Sequence, residues 1–190
     1  MQPDHNHEDD AERLQAHLRQ MAEEQFRRQM RQASHLLSSG NAKDAIPLLE
    51  RCYALHPDDV NVLMNLGGAY ILAGKHKNAV PLLEKAAERA PDNPNVWTNL
   101  AAAYLGKLIT STRGRQDAAL TAYRRVIEID AAYPNVHYNM GLIYVDRRDW
   151  QAAHDAFSHA IEADPDDQDA RLMLRRVKEV LGSPPDPRRN

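Results

Sequence analysis

Six asparagines occur as pairs four residues apart: Asn61 with Asn65, Asn95 with Asn99, and Asn135 with Asn139. The first two pairs are separated by 34 residues and the next two by 40. Residues four apart on a helix share a face, so each pair turns two carboxamides to one side. A carboxamide carries donors and an acceptor on one group. It can therefore meet both the N–H and the C=O of an extended peptide. A ladder of such groups would read peptide backbone more than side chains. The first member of each pair can instead cap its own helix start, and the second can bond a neighbouring unit. Met64, Thr98, Tyr138 and Leu142 should be exposed on the same side as the asparagines and offer a mildly apolar surface. The six asparagines with Met64 and Tyr138 are the candidate peptide-binding residues.

No other constellation matches a known chemistry. There is no glycine-rich phosphate loop, zinc-binding helix motif or nucleophile elbow, so no catalytic residue, metal or cofactor is expected. His154 and His159 are five apart on one segment and would not share a helix face. His5 and His7 lie in a polar N-terminal stretch with little power to hold a metal. A single cysteine, Cys52, excludes an internal disulfide framework and a cysteine-built zinc site. Lys107, Arg113 and Arg115 flank Thr110-Ser111-Thr112. They could meet an anion or nucleic acid, but three cations in such a stretch are more simply a solvated loop.

The net charge of −3 is too near balance to recommend nucleic acid or a membrane surface as partner. No run approaches the ~20 apolar residues of a membrane-spanning helix, and the opening residues MQPDHNHEDD lack the features of a signal peptide. A cytoplasmic protein is expected. Aromatics are only 6% against 43% hydrophobic residues overall, which suits helices packed through alanine and leucine.

The asparagines need helices to position them, and the periodicity supplies these. Asn65-Leu66-Gly67…Tyr70 returns as Asn99-Leu100-Ala101…Tyr104 and as Asn139-Met140-Gly141…Tyr144. A period in this range marks stacked supersecondary units. Residues 1–9 and 183–190 are expected to be disordered. An extension helix over 10–25 runs into a divergent first unit at 26–59, with a break near Glu23-Glu24. Units at 60–93, 94–133 and 134–167 follow, and a capping helix at 168–182 closes the array. The third unit holds six extra residues near 106–115. Its first helix should run past Tyr104 toward Ile109, with an exposed loop over Thr110–Arg115 and a second helix from Gln116.

The second unit carries Leu63, Leu66, Gly67, Tyr70, Ala79, Leu83, Ala86 and Pro91 at the positions of a 34-residue helix–turn–helix signature. The third carries Trp97, Leu100, Ala101, Tyr104, Ala119, Tyr123 and Val126, with Ala131 in place of the proline. The fourth carries His137, Met140, Gly141, Tyr144, Ala153, Phe157, Ala160 and Pro165. The first matches in its second helix through Ala45, Leu49, Cys52 and Pro57, but has Gln29 and Gln32 at apolar positions. By these residues the chain resembles the tetratricopeptide repeat family. The resemblance implies an all-α, right-handed solenoid of about four units whose first helices line a concave groove. It implies a non-enzymatic protein-interaction scaffold, with a peptide of a partner protein in that groove. Members that grip acidic chaperone C-termini use a clamp of lysine, arginine and asparagine. The matching positions here are Met30, Ser34, Asn65, Asn95 and Asn99, of which only Asn65 fits. The first alternative is a homo-oligomeric assembly in which the N-terminal helix, with Leu14, Leu18, Met21 and Phe26, packs on a second copy, and the next is an accessory domain of a larger enzyme or of a secretion or pilus assembly.

Overall fold

The structure is a computed structural model, and its described residues are 5–182. The expected tails at 1–4 and 183–190 lie outside the described residues. Among the described residues nine α-helices follow one another: α1 (His5–Ser38), α2 (Ala42–Leu55), α3 (Val60–Leu72), α4 (His76–Arg89), α5 (Pro94–Leu105), α6 (Arg113–Ile129), α7 (Val136–Asp146), α8 (Trp150–Ala163) and α9 (Gln168–Gly182). A 3₁₀ turn, Leu108–Thr110, stands between α5 and α6.

Consecutive helices pack as antiparallel pairs, α1 with α2, α3 with α4, α5 with α6 and α7 with α8, and α9 covers α8. The first helices α1, α3 and α5 also touch one another in sequence, whereas no comparable contact joins α2 to α4 or α4 to α6. The first-helix layer is therefore the shorter one, and the stack curves around it. This is the all-α solenoid expected from the repeat.

Small residues allow the close approach within each pair. A Cβ on Gly67 would fall 2.6 Å from Leu83 Cγ, and one on Gly141 would fall 2.6 Å from Phe157 Cε1. The turns inside the pairs repeat one geometry. Asn41 N donates to Leu36 O (2.8 Å), Lys75 N to Tyr70 O (2.7 Å) and Asp149 N to Tyr144 O (2.9 Å). These bonds satisfy carbonyls left over at a helix end. The left-handed residue they require is glycine in the first two turns (Gly40, Gly74) and Arg148 in the last (φ 58°).

Apolar side chains form three successive clusters. Ala45, Leu49, Leu63, Leu66, Leu83 and Leu100 belong to the first, and Leu120, Tyr123, Val126, Val136 and Ile143 to the second. Ala153, Phe157 and Val177 form the third, under α9. Gln29, which broke the apolar pattern of the first unit, is nevertheless buried, and its Oε1 accepts from Cys52 Sγ at 3.8 Å. A thiol can pair with an amide where a larger apolar residue would serve elsewhere.

Several expected boundaries are corrected. The first helix begins at His5, not Asp10, and is unbroken at Glu23-Glu24. No glycine or proline interrupts residues 4–38, so nothing in the chain stops the helix there. Residues 5–9, expected in the tail, belong to α1. The first helix of the third unit stops at Leu105 because Gly106 adopts φ 61°, ψ −131°, a conformation open to glycine alone. Of the segment expected as an exposed loop, Thr110 closes the 3₁₀ turn, and Arg113–Arg115 form the first turn of α6, capped by Thr112 Oγ1 accepting from Arg115 N (3.4 Å); Thr110, Thr112, Arg113 and Gly114 are exposed as expected.

Candidate peptide-binding groove

Asn65, Asn99 and Asn139 occupy equivalent places on α3, α5 and α7, the helices of the inner layer, and each is half-buried. None of their side-chain amides forms a hydrogen bond to another described residue. A half-buried carboxamide without an internal partner keeps its full donor and acceptor capacity. Asn65 and Asn99 stand on helices in direct contact, α3 and α5. α7, which carries Asn139, has no comparable contact with α5, and the 3₁₀ turn of the insertion lies against it.

The other three asparagines differ from this set and from one another. Asn61, Asn95 and Asn135 are all exposed. Helix capping by their side chains, the alternative raised above, is not what the structure shows. Asp59 caps α3, accepting from Asn61 N (2.8 Å) and Val62 N (3.0 Å), and Asn93 caps α5 by accepting from Asn95 N (3.0 Å). Asn135 is at the cap position of α7, but in left-handed conformation (φ 63°) and with no side-chain bond. Asn95 Oδ1 accepts from Tyr133 Oη at 2.6 Å, a bond that ties the third unit to the turn before the fourth.

Of the apolar neighbours, Met64 is half-buried against the first cluster, with its Sδ 4.0 Å from Asn93 Nδ2. Thr98 Oγ1 donates to Pro94 O (2.9 Å) and so is occupied within its own helix. Tyr138 leans on Phe157 with ring centroids 5.7 Å apart. It borders a recess of about 130 Å³ shared with Tyr133, His137, Asp164 and Asp167. Burial, then the charges of Asp169 and Asp167, push the Tyr138 phenol up from its ordinary range. His137 packs on His159 at 5.3 Å between centroids. Burial first, and His159 second, hold its pKa down, as suits a packing residue.

Contacts between units were the part of the site least visible in the sequence. Tyr70 Oη donates to Glu50 Oε1 and Tyr104 Oη to Glu84 Oε1, each at 2.6 Å. Burial, followed by the hydrogen bond and charge of the glutamate, pushes each phenol up to about 12. Asp58 pairs with Lys85 (3.0 Å) and Arg89 (2.8 Å), and Asp92 with Arg125 (3.3 Å). The signal was a tyrosine 20 residues after a glutamate, twice over. The third interface breaks both patterns, having Arg124 and Ala132 where the glutamate and aspartate would stand. In their place buried Gln116 donates to Asp146 Oδ2 (2.6 Å) and accepts from Arg147 Nε (2.8 Å). Arg147 continues to Asp117 (2.7 Å) and to the Arg113 carbonyl (3.1 Å).

Among the described residues, no group of three or more His, Cys, Asp or Glu could hold a metal. No helix among them is long and apolar enough to cross a membrane. Comparison with known proteins gives consistent matches along the array. Tetratricopeptide repeat models match residues 30–94, 82–121 and 134–167, and a TPR repeat model matches 112–147. No curated protein sequence matches. Among solved structures, MamA is 22% identical, with TM-score 0.72 and 84% of each chain covered. TTC0263, a thermophilic TPR protein of Thermus thermophilus, is 21% identical, with TM-score 0.66 and 83% of each chain covered. The first TPR of Spaghetti (RPAP3), solved with the HSP90 peptide SRMEEVD, is 22% identical at TM-score 0.57, covering 65% of this chain and 96% of that one. With four models in succession over 30–167, the helix pairs and the close glycine contacts all in one register, the chain belongs to the tetratricopeptide repeat family.

Proposed function

We propose that this protein is a non-enzymatic scaffold that holds an extended segment of a partner protein along its inner helix layer. The observation that carries the reading is the set of half-buried carboxamides of Asn65, Asn99 and Asn139, which have no internal partner and recur at equivalent places. Each can donate to a peptide carbonyl and accept from a peptide N–H. Asn61, Asn135, Met64 and Tyr138 would border the bound segment, and Asn95 would do so only by giving up Tyr133. The groove suits an acidic chaperone C-terminus poorly. Met30, Ser34, Asn95 and Asn99 stand where a carboxylate clamp needs its other residues, cations among them, so a terminal carboxylate would lose its charge-assisted bonds. A near-neutral surface and a buried free thiol at Cys52 suit a cytoplasmic partner protein better than nucleic acid. Selection of random peptides on the immobilised chain, followed by NMR of the bound winner, tests the reading. The side-chain amides of Asn65, Asn99 and Asn139 should shift together. Binding that leaves all three unmoved contradicts it.

A second reading is favoured by one feature. On α1, Leu14, Leu18 and Met21 are 60%, 57% and 54% exposed and lie on one stripe. Pairing with a second copy would cover it. Under this reading, light scattering of the full chain shows a dimer or larger species, and Leu18→Glu with Met21→Glu returns it to a monomer. A monomeric full chain at high concentration rules it out.

A further inference from the structure

The six-residue insertion of the third unit brings cations against the turn of the second. Arg115, half-buried at the start of α6, donates from Nε to the Tyr104 carbonyl at 2.8 Å. That bond fixes the guanidinium and leaves its two terminal nitrogens available. Gly106 makes room for it, since a Cβ there would fall 2.7 Å from Arg115 Nη2 and 3.6 Å from His76 Cδ2. Arg115 thereby lines an open recess of about 300 Å³ together with Lys75, His76 and Lys77. Lys107 is close enough, with Arg115, to depress the protonation of His76, although burial of the ring is the larger cause. The Nδ1 atom of His76 is shut off from solvent and has no hydrogen-bond partner. Among the described residues no carboxylate pairs with Lys75, Lys77, Lys107 or Arg115. Lys75 only lies over the Tyr70 ring, 5.8 Å from its centroid. The recess opens where α4 begins, and Lys75 supplies no side-chain cap there, so the helix dipole adds to the positive field.

Three cations, Lys75, Lys77 and Arg115, line the recess and Lys107 stands near it, and none of the four has a carboxylate partner within ion-pair distance among the described residues. We propose that this recess is a binding site for a phosphate-sized oxyanion, held by the Arg115 fork with Lys77 and Lys107 around it. A planar guanidinium meets two oxygens of such a group at once. The site lies at the turn between α3 and α4, so it is separate from the asparagine ladder and does not depend on it. Free phosphate and a phosphorylated side chain of a partner present the same chemistry.

The test is an NMR titration of the full chain with inorganic phosphate and, separately, with O-phosphoserine, against sodium chloride at matched ionic strength. Saturable shifts of the His76 and Lys77 amides are expected with both phosphate probes and not with chloride. Lys77 and Lys107 are exposed, so Lys77→Gln with Lys107→Gln should leave the fold intact and weaken binding about tenfold or more. Lys43→Gln, in the corresponding turn of the first unit, should leave it unchanged. Tighter binding of O-phosphoserine identifies a phosphorylated partner as the source, and equal or weaker binding identifies the free anion. Shifts that follow chloride, or that survive the double substitution, overturn the proposal.

Discussion

Gly67, Gly68 and Gly141 show how differently one residue type can matter. Gly141 faces the Phe157 ring at a distance no Cβ can share, whereas a Cβ on Gly68 would meet nothing within 4 Å. Gly141→Ala should cost about 1–3 kcal/mol through overpacking against a ring that cannot fold away. Gly68→Ala should gain about 0.5–1 kcal/mol from helix propensity alone. Urea unfolding of the two variants checks both signs. The tyrosines make a second case. Tyr70, Tyr104 and Tyr123 have phenols pushed up to about 12 from an ordinary 10.0, Tyr123 by burial alone. A raised folded-state pKa contributes stability below pH 10 that is lost as pH rises toward 12. Unfolding free energy should therefore fall between pH 10 and 12. Tyr70→Phe with Tyr104→Phe should make that fall shallower, measured by denaturant titration at each pH.

At the scale of helices, the junction of the third and fourth units is where the repeat rule gives way. The first two junctions use the Tyr–Glu bonds and the aspartate pairs to basic residues. Those pairs are exposed and worth little individually. The third junction rests on Gln116, which is only 3% exposed and bonds Asp146 and Arg147 at once. Gln116→Ala leaves both partners short of a bond and should cost about 1–3 kcal/mol. Hydrogen exchange should show α7 and α8 losing protection before α3 and α4. The helix pairs, the Gly67 and Gly141 contacts and the proline stops were legible in the sequence, because each follows from residues at fixed offsets. The insertion was not. Its helix start depends on the Thr112 cap and its fold-back on the Gly106 conformation, and Arg115 finds the Tyr104 carbonyl only once α5 and α6 are packed.

Across the described residues, each unit packs mainly on its neighbours, so the inner layer inherits its geometry from local rules. That is why the positions of Asn65, Asn99 and Asn139 could be read from spacing. The division of labour between them and Asn61, Asn95 and Asn135 could not, because it turns on caps provided by Asp59 and Asn93 and on Tyr133 reaching Asn95 from 38 residues away. The most direct measurement is the affinity of a selected groove-binding peptide for the native chain and for Asn65→Ala/Asn99→Ala/Asn139→Ala, with thermal midpoints of both. At about 1 kcal/mol for each carboxamide, the triple variant should bind on the order of a hundredfold more weakly. Its thermal midpoint should be unchanged or slightly higher, since alanine is the better helix former. Full affinity in the triple variant, or a lower midpoint with binding retained, would contradict a ligand role for the three asparagines.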